Sequence, residues 1–519
     1  MLVASPRTHA PLLKRAINPT THALEILPRR GSTLLDITDL HRRSAPPPPH
    51  TLRYDDSFRL TISAFDDTFH LHLRPNDHLI HPAARINYYG LDSDGSPTIL
   101  RTEPLLRETV KAYMGEVIAA DHSPTRMRED IAGIAPQSHP SELGWARITV
   151  HRLGDNFVPV YEGAFSANGV VYHISTKENY LRNKHSLDPE VVRPLGGGDE
   201  HLVIWKDSDA MTPEEEHLVK TGSKPTGPIA APMGCAHDSL PYNTDPELNP
   251  TLRNPYVDSS WLSHLLSPQP NGTLYRRDDA PTGGSGMGTN FVDFIGQNTG
   301  CPTEQKIIYM GVAADCEYVR KYNGQDGAKE QILNTWNTAS ATFKTTFNVG
   351  LGITTLNVQD PTCPSGSSDL PWNVPCSSAN LNSRLSLFSA WRGTLGDDGN
   401  GLWHLMSGCP TGAEVGIAWL ATICQTASGG NPGQVVSGTA VSTSGRTEWQ
   451  VVAHEIGHNF GAIHDCAEGC SQGGASCCPL NPSTCDAQGR FIMSPVAQAG
   501  EKVFSPCSLG NMLIWYILK

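Results

Sequence analysis

Residues Thr447 to Asp465 read TEWQVVAHEIGHNFGAIHD, and this stretch decides what the second half of the chain folds around. Thr447 can cap a helix and Gln450 can reach back to complete a capping box, so the spacing predicts a helix that starts here. On it, His454 and His458 lie on one face, one turn above the other, where two imidazoles reach a single ion. Gly461 has no Cβ and can take the left-handed conformation that ends a helix and turns the chain back, which swings His464 to the same ion. Three neutral imidazoles leave a fourth tetrahedral position for water, the mark of a catalytic rather than a structural zinc site, so one Zn2+ ion is the expected cofactor. Such an ion lowers the pKa of its water to about 7, and Glu455 is placed to take the proton and pass it to a leaving amine. The pattern HExxHxxGxxH arises by chance in a chain of this length with a probability on the order of 10⁻⁴. A solvated helix that happens to carry three histidines is therefore the weaker reading.

Working outward, 519 residues exceed one ordinary core, so two or more folded units are expected. A hydrophobic fraction of 38% with Gly 48 and Pro 40 fits globular units rich in turns and excludes a collagen-like or wholly disordered chain. A net charge of -13, with no concentrated Lys and Arg, excludes nucleic acid as a partner. Of 13 cysteines, Cys235 stands alone in the first half. The other twelve (Cys301, Cys316, Cys363, Cys376, Cys409, Cys424, Cys466, Cys470, Cys477, Cys478, Cys485 and Cys507) read as a disulfide framework formed in an oxidising compartment. Asn271-Gly272-Thr273 is a glycosylation sequon consistent with the secretory pathway and an extracellular location. No signal peptide is evident in Met1 to Arg15, and no apolar run is long enough to span a bilayer.

Residues 1–50, rich in Pro, Arg and His, read as a flexible tail. From Leu52 apolar residues recur at every second position, as in Phe58 to Ile62 and Thr68 to Leu73, and further strands are expected at Ala146 to Val150 and Val170 to Ile174. The first unit is therefore mainly β. Residues 206–300 read as a connector with the dibasic pair Arg276-Arg277 and a Gly-rich stretch. Beyond Cys301, Lys306 to Val312 has strand length, Ala328 to Phe347 carries Ile332, Trp336 and Phe343 at helical spacing, and Leu351 to Val358 alternates. Leu381, Leu385, Phe388 and Trp391 form the stripe of another helix, and the alternation of strands and helices predicts an α/β unit.

HEIGHNFGAIHD at His454 to Asp465 resembles the zinc motif of the ADAM (adamalysin, or reprolysin) branch of the metzincin proteases, in which an Asp follows the third His. Phe491-Ile492-Met493-Ser494-Pro495 resembles the family's Met-turn, which implies that Met493 lies beneath the metal as a packed support. Gly416-Ile417-Ala418-Trp419 resembles the edge strand that pairs with an extended substrate, a recognition by strand addition. The resemblance is nearest to convertase-like sheddases and fungal ADAM proteases, and covers residues 301–510 well and 51–275 more loosely. By that analogy Ala231-Pro232-Met233-Gly234-Cys235-Ala236 is similar to a cysteine switch, in which Cys235 holds the fourth zinc position of a zymogen.

Composition and the resemblance together divide the chain into a tail (1–50), a prodomain with switch and processing linker (51–277), a Gly-rich linker (278–300) and an α/β metzincin-type catalytic domain (301–512), followed by an end (513–519) that is atypical of the family. The resemblance implies a zinc endopeptidase acting on protein substrates and inhibited by its own prodomain, and the dibasic pair Arg276-Arg277 in the linker is the expected site of activation by a processing protease. Family members usually continue into disintegrin and cysteine-rich domains and are often membrane-anchored; no disintegrin domain is expected within this chain. The rival reading is a non-catalytic, disulfide-stabilised binding protein derived from a protease.

Overall fold

The structure is a computed structural model and describes residues 11–29, 48–134, 139–153, 159–193, 198–225, 234–245, 247–249, 295–296, 301–365, 369–409, 414–431, 433–470, 477–495 and 503–517. The sequon and the Arg276-Arg277 pair lie outside these residues.

The first region builds an antiparallel sheet from β1 (Thr20–Ile26), β2 (Phe58–Ala64), β3 (Asp67–Pro75), β6 (Ala112–Ile118), β7 (Glu142–Leu153), β8 (Pro159–Ala167), β9 (Val170–Thr176) and β10 (Leu202–Lys206), in that spatial order. The register sets Phe58 opposite Leu73, Leu60 opposite Leu71 and Ile62 opposite Phe69, so the alternation seen in the sequence puts all six on one buried face. The turn between β2 and β3 is Phe65-Asp66, both with positive φ (55° and 67°), the twist that a two-residue hairpin requires. The same region carries the helices α1 (Ser123–Ala132), α2 (Lys177–Asn183) and α3 (Pro213–Thr221).

The expectation of an unfolded tail over residues 1–50 is corrected for residues 11–29. Thr20–Ile26 pairs antiparallel with β2, Leu24 and Ile26 enter the core, and Ile17 bonds to Ile204 through backbone N–H and C=O. Composition missed this because the strand exists to satisfy the open edge of β2, a demand that comes from sequence far away.

The second region adds β11 (Gly234–Cys235), β12 (Lys306–Ala314), β13 (Val349–Val358), β14 (Leu402–Ser407), β15 (Glu414–Ala418), a hairpin of β16 (Gly429–Asn431) with β17 (Gln434–Val436), and β18 (Thr439–Thr443). Its helices are α4 (Pro241–Thr244), α5 (Cys316–Lys321), α6 (Gln325–Phe347), α7 (Leu381–Thr394), α8 (Glu448–Asn459) and α9 (Pro506–Ile517). The strand and helix stretches read from Lys306 to Trp391 are all present. Of the stretch expected to be an atypical end, residues 513–517 form the last turns of α9, which follow the buried Met512, and residues 518–519 lie outside the described residues.

The mixed sheet runs β11-β15-β18-β14-β12-β13-β4-β5, where β4 (Ile80–Leu91) and β5 (Pro97–Pro104) come from the first region. β4 pairs parallel with β13, and Asn87 Nδ2 donates to Asn357 Oδ1 at 2.8 Å across the join. Helix α6 lies between the two sheets; its buried Asn337 donates to the carbonyls of Tyr113 and Ile148, and its Oδ1 accepts from Asn76. One apolar core joins Ile80, Ile86, Tyr88 and Val171 to Trp336, Phe343, Leu356 and Ile456, so the two regions bury surface against each other.

Five disulfides form: Cys316–Cys363, Cys376–Cys409, Cys466–Cys477, Cys470–Cys485 and Cys478–Cys507. The reading of twelve paired cysteines is corrected here: Cys301 and Cys424 are free alongside Cys235. An even count permits complete pairing but does not bring partners within bonding range. Among the described residues no helix is long and apolar enough to cross a membrane.

Candidate metal centre

Helix α8 carries the first two histidines. Thr447 stands at its N-cap, but its hydroxyl makes no cap bond, so the expected capping box does not form. The helix start is instead held by burial, with Glu448 accepting from the hydroxyls of Tyr318 (2.5 Å) and Tyr322 (2.8 Å). At the other end Gly461 has φ 97°, and its N–H donates to His458 O at 2.8 Å. This is the bend the sequence predicts, and it brings His464 over the helix. Gly457, within the helix, lets the Met-turn approach: a Cβ there would sit 2.7 Å from Met493 Sδ. Met493 is fully buried in the main core against this helix.

The ligand atoms of His454, His458, His464 and Cys235 all lie within 4.8 Å of one another. Each imidazole is fixed from behind through Nδ1: His454 to Ile492 O at 2.6 Å, His458 to Ala462 O at 2.7 Å, and His464 to Asp238 Oδ2 at 2.7 Å. A carbonyl oxygen only accepts, so Nδ1 of His454 and of His458 carries the proton and each Nε2 presents a lone pair. These two Nε2 atoms face each other at 3.0 Å. Burial, and next the neighbouring imidazoles, push the His454 pKa down to about 3 and that of His458 well below its ordinary value, so neither ring gains a second proton to relieve the opposition. The buried Nε2 of His464 has no hydrogen-bond partner. Lone pairs converging on one point, backed by oxygen acceptors, fit a cation, and three imidazoles with one sulfur are a donor set for tetrahedral zinc.

Glu455 is fully buried beside this point, and burial raises its pKa well above the ordinary carboxylate range. Its Oε2 accepts from the Cys235 thiol at 3.6 Å. Gly416 on β15 is required for the carboxylate to fit, since a Cβ there would lie 2.3 Å from Glu455 Oε1. Ile417 and Ala418 follow on the same strand, and both are buried. β15 pairs antiparallel with β18 on one side; on its outer side it receives β11, parallel, with Cys235 opposite Gly416. Thus the structure brings together His454, Glu455, His458, His464, Cys235, Met493 and the Gly416 to Ala418 strand.

Sequence reading missed three residues just past Cys235. The His237 ring stacks on His458, with centroids 3.6 Å apart and planes at 9°. Asp238 holds His464. Asn243 donates to Ala418 O and accepts from Leu420 N, both at 2.8 Å, lacing the segment to the wall beyond β15. The available signal was a His-Asp pair, His237-Asp238, two residues after the lone cysteine. Asn459 was missed as well: its side-chain amide donates to Trp419 O, Thr422 Oγ1 and Thr439 O, fixing the end of α8 to that wall.

Comparison with known proteins agrees with this geometry. Residues 303–505 match Metallo-peptidase family M12, and residues 20–117 match the reprolysin family propeptide. The chain is 35% identical over 479 residues to a "Disintegrin and metalloproteinase domain-containing protein B" of Aspergillus fumigatus, covering 90% of this chain and 57% of that protein. It is 31% identical over 501 residues to a protein of the same name from Arthroderma benhamiae, covering 92% and 58% respectively. Over 208 residues it is 30% identical to "Zinc metalloprotease mde10" of Schizosaccharomyces pombe, covering 36% and 40%. The chain thus spans somewhat over half the length of the first two relatives. A propeptide match that begins at β1, a peptidase match that contains every histidine of the cluster, and relatives named as metalloproteinases agree, and the chain belongs to the reprolysin (ADAM) family of M12 metallopeptidases.

Proposed function

We propose that this chain is a latent zinc-dependent endopeptidase. The observation that carries the reading is the convergence of three Nε2 atoms and the Cys235 sulfur within 4.8 Å, with Glu455 alongside. His454, His458 and His464 would hold the zinc ion, and Cys235 would take the fourth position while the chain is uncut. When bound, zinc supplies Lewis-acid chemistry, activating a water and polarising a peptide carbonyl. Glu455 serves as general base and then general acid: its carboxylate takes the proton of the attacking water and returns it to the leaving amine. Burial favours the protonated form that this return needs. Gly416, Ile417 and Ala418 offer main-chain groups to an extended protein substrate once β11 leaves the outer edge of β15. Met493 supports the ligand helix from below. The five disulfides support maturation in the secretory pathway and an extracellular site of action. Cleavage by a processing protease after Arg277 would separate the inhibitory segment from the peptidase.

The test uses the chain cleaved after Arg277 and a denatured protein substrate. Chelator-sensitive hydrolysis is expected, and Glu455→Gln should lower it by about 10²–10⁴-fold, the range general acid–base catalysis supplies, while one zinc per chain is retained. Equal hydrolysis by wild type and E455Q would end the mechanism.

A further inference from the structure

The three imidazoles of the metal centre are not supported alike. His454 and His458 donate Nδ1–H to the peptide carbonyls of Ile492 and Ala462, both within the peptidase region. His464 donates instead to a carboxylate, Asp238 Oδ2 at 2.7 Å, and Asp238 sits three residues beyond the cysteine of the inhibitory segment. The position of this carboxylate is set by a short turn. Ser239 N donates to Ala236 O at 3.0 Å, and His237 N donates to Cys235 Sγ at 3.4 Å. His237 is anchored in turn by Asn243 and by its stack on His458. One turn thus aims a sulfur at the front of the site and a carboxylate at the back of its third ligand.

A carboxylate behind an imidazole makes the far nitrogen a stronger donor and fixes the ring's orientation, and it does both better than a neutral carbonyl. We propose that Asp238 is a positioning residue for the metal: the uncut chain grips its ion through His464 more tightly because the inhibitory segment supplies this carboxylate. Loss of that segment then removes two supports at once, the Cys235 sulfur and the Asp238 hydrogen bond, and the cleaved enzyme holds metal less firmly than its precursor. The inference rests on the metal-centre reading above. Its size is set by exposure: the Asp238 side chain is 64% accessible against 4% for His464, so the effect belongs at the low end of the range for such partners, about tenfold in affinity.

The test measures zinc affinity of the full uncut chain by competition with a chelator, and the absorption of the same proteins loaded with cobalt(II), whose thiolate band reports Cys235. Asp238→Asn should weaken zinc binding about tenfold while the thiolate band persists, Asp238→Glu should restore most of the loss, and Asp238→Asn should have a similar effect in a Cys235→Ala background. Unchanged affinity in D238N overturns the proposal. So does an effect that vanishes once Cys235 is gone, since Asp238 would then act only by placing the cysteine. A different outcome strikes the underlying reading instead: uncut wild type that binds no zinc, or binds it undiminished after His454→Ala, has no metal centre here for Asp238 to support.

Discussion

The sheet formed by β12, β13, β14, β18 and β15 has two edges, and residues that precede the peptidase match close both, in opposite manners. At β13, the long strand β4 pairs from Ile80 to Tyr88 and buries Ile80, Ile86 and Tyr88 in a core shared with α6. At β15, the two residues of β11 pair, Cys235 N donates to Pro495 O, Ala236 and Leu240 enter an apolar cluster with Ile417 and Trp419, and the contacts that reach the histidines are polar and ring contacts. Apolar burial scales with area and does not depend on any one atom, whereas the contacts that the β11 segment makes to the histidine cluster can be undone one atom at a time. On the proposed function, docking and latency are separable properties, held at opposite edges of one sheet.

The largest expected effect breaks the comparison at the β15 edge. Cys235→Ala removes the sulfur and none of the β4 pairing, so the uncut chain should pass from latent to active on an extended peptide while its melting temperature stays near that of wild type. A fully latent C235A chain would mean that the strand contacts alone block the site, and the two edges would no longer differ in kind.

Next in size is a break in the docking. Arg446, just before α8, donates to Asp188 Oδ2 at 2.5 Å and to the carbonyl of Pro11, and the paired side chains are 2% and 0% exposed. Removing one partner of such a buried pair costs about 3–5 kcal/mol. Arg446→Ala should fall towards the lower figure, since Asp188 keeps the N–H groups of Leu13 and His185. Equilibrium unfolding of the uncut chain in urea would measure it, and latency should survive. A loss of only a few tenths would leave docking to the apolar core alone.

What the sequence disclosed follows the same division. The convergence of His454, His458 and His464, the place of Glu455, the Gly461 bend, the burial of Met493 and the strands with clear alternation depend on spacings of a few residues, and those spacings are local facts. The features it concealed are set by contacts between distant segments. β1 exists because β2 offers an open edge; β4 leaves its neighbours β3 and β6 to pair with β13, which alternation cannot foretell. Thr447 looks like a cap but sits where buried Glu448 and the tyrosines already hold the helix start. Asp238 reads as an ordinary surface acid in the sequence, and only the fold sets its carboxylate 2.7 Å from His464 Nδ1. Cysteine parity was equally blind, because it counts thiols without placing them.

The smallest effect belongs at the outer margin of the β13 side, where β5 closes the sheet with residues that are almost all exposed. There the Arg101 guanidinium lies 4.0 Å from the centroid of the Tyr88 ring, and Tyr88 itself is buried in the core that β4 shares with the peptidase. A cation over an aromatic face at an exposed site contributes about 0.5–1 kcal/mol, so Arg101→Ala should lower the stability of the uncut chain by that amount and leave latency untouched. Urea titration of the same protein used for R446A gives the comparison directly. A loss several times larger would show that β5 clamps Tyr88 into the shared core. The docking edge would then begin one strand further out than β4.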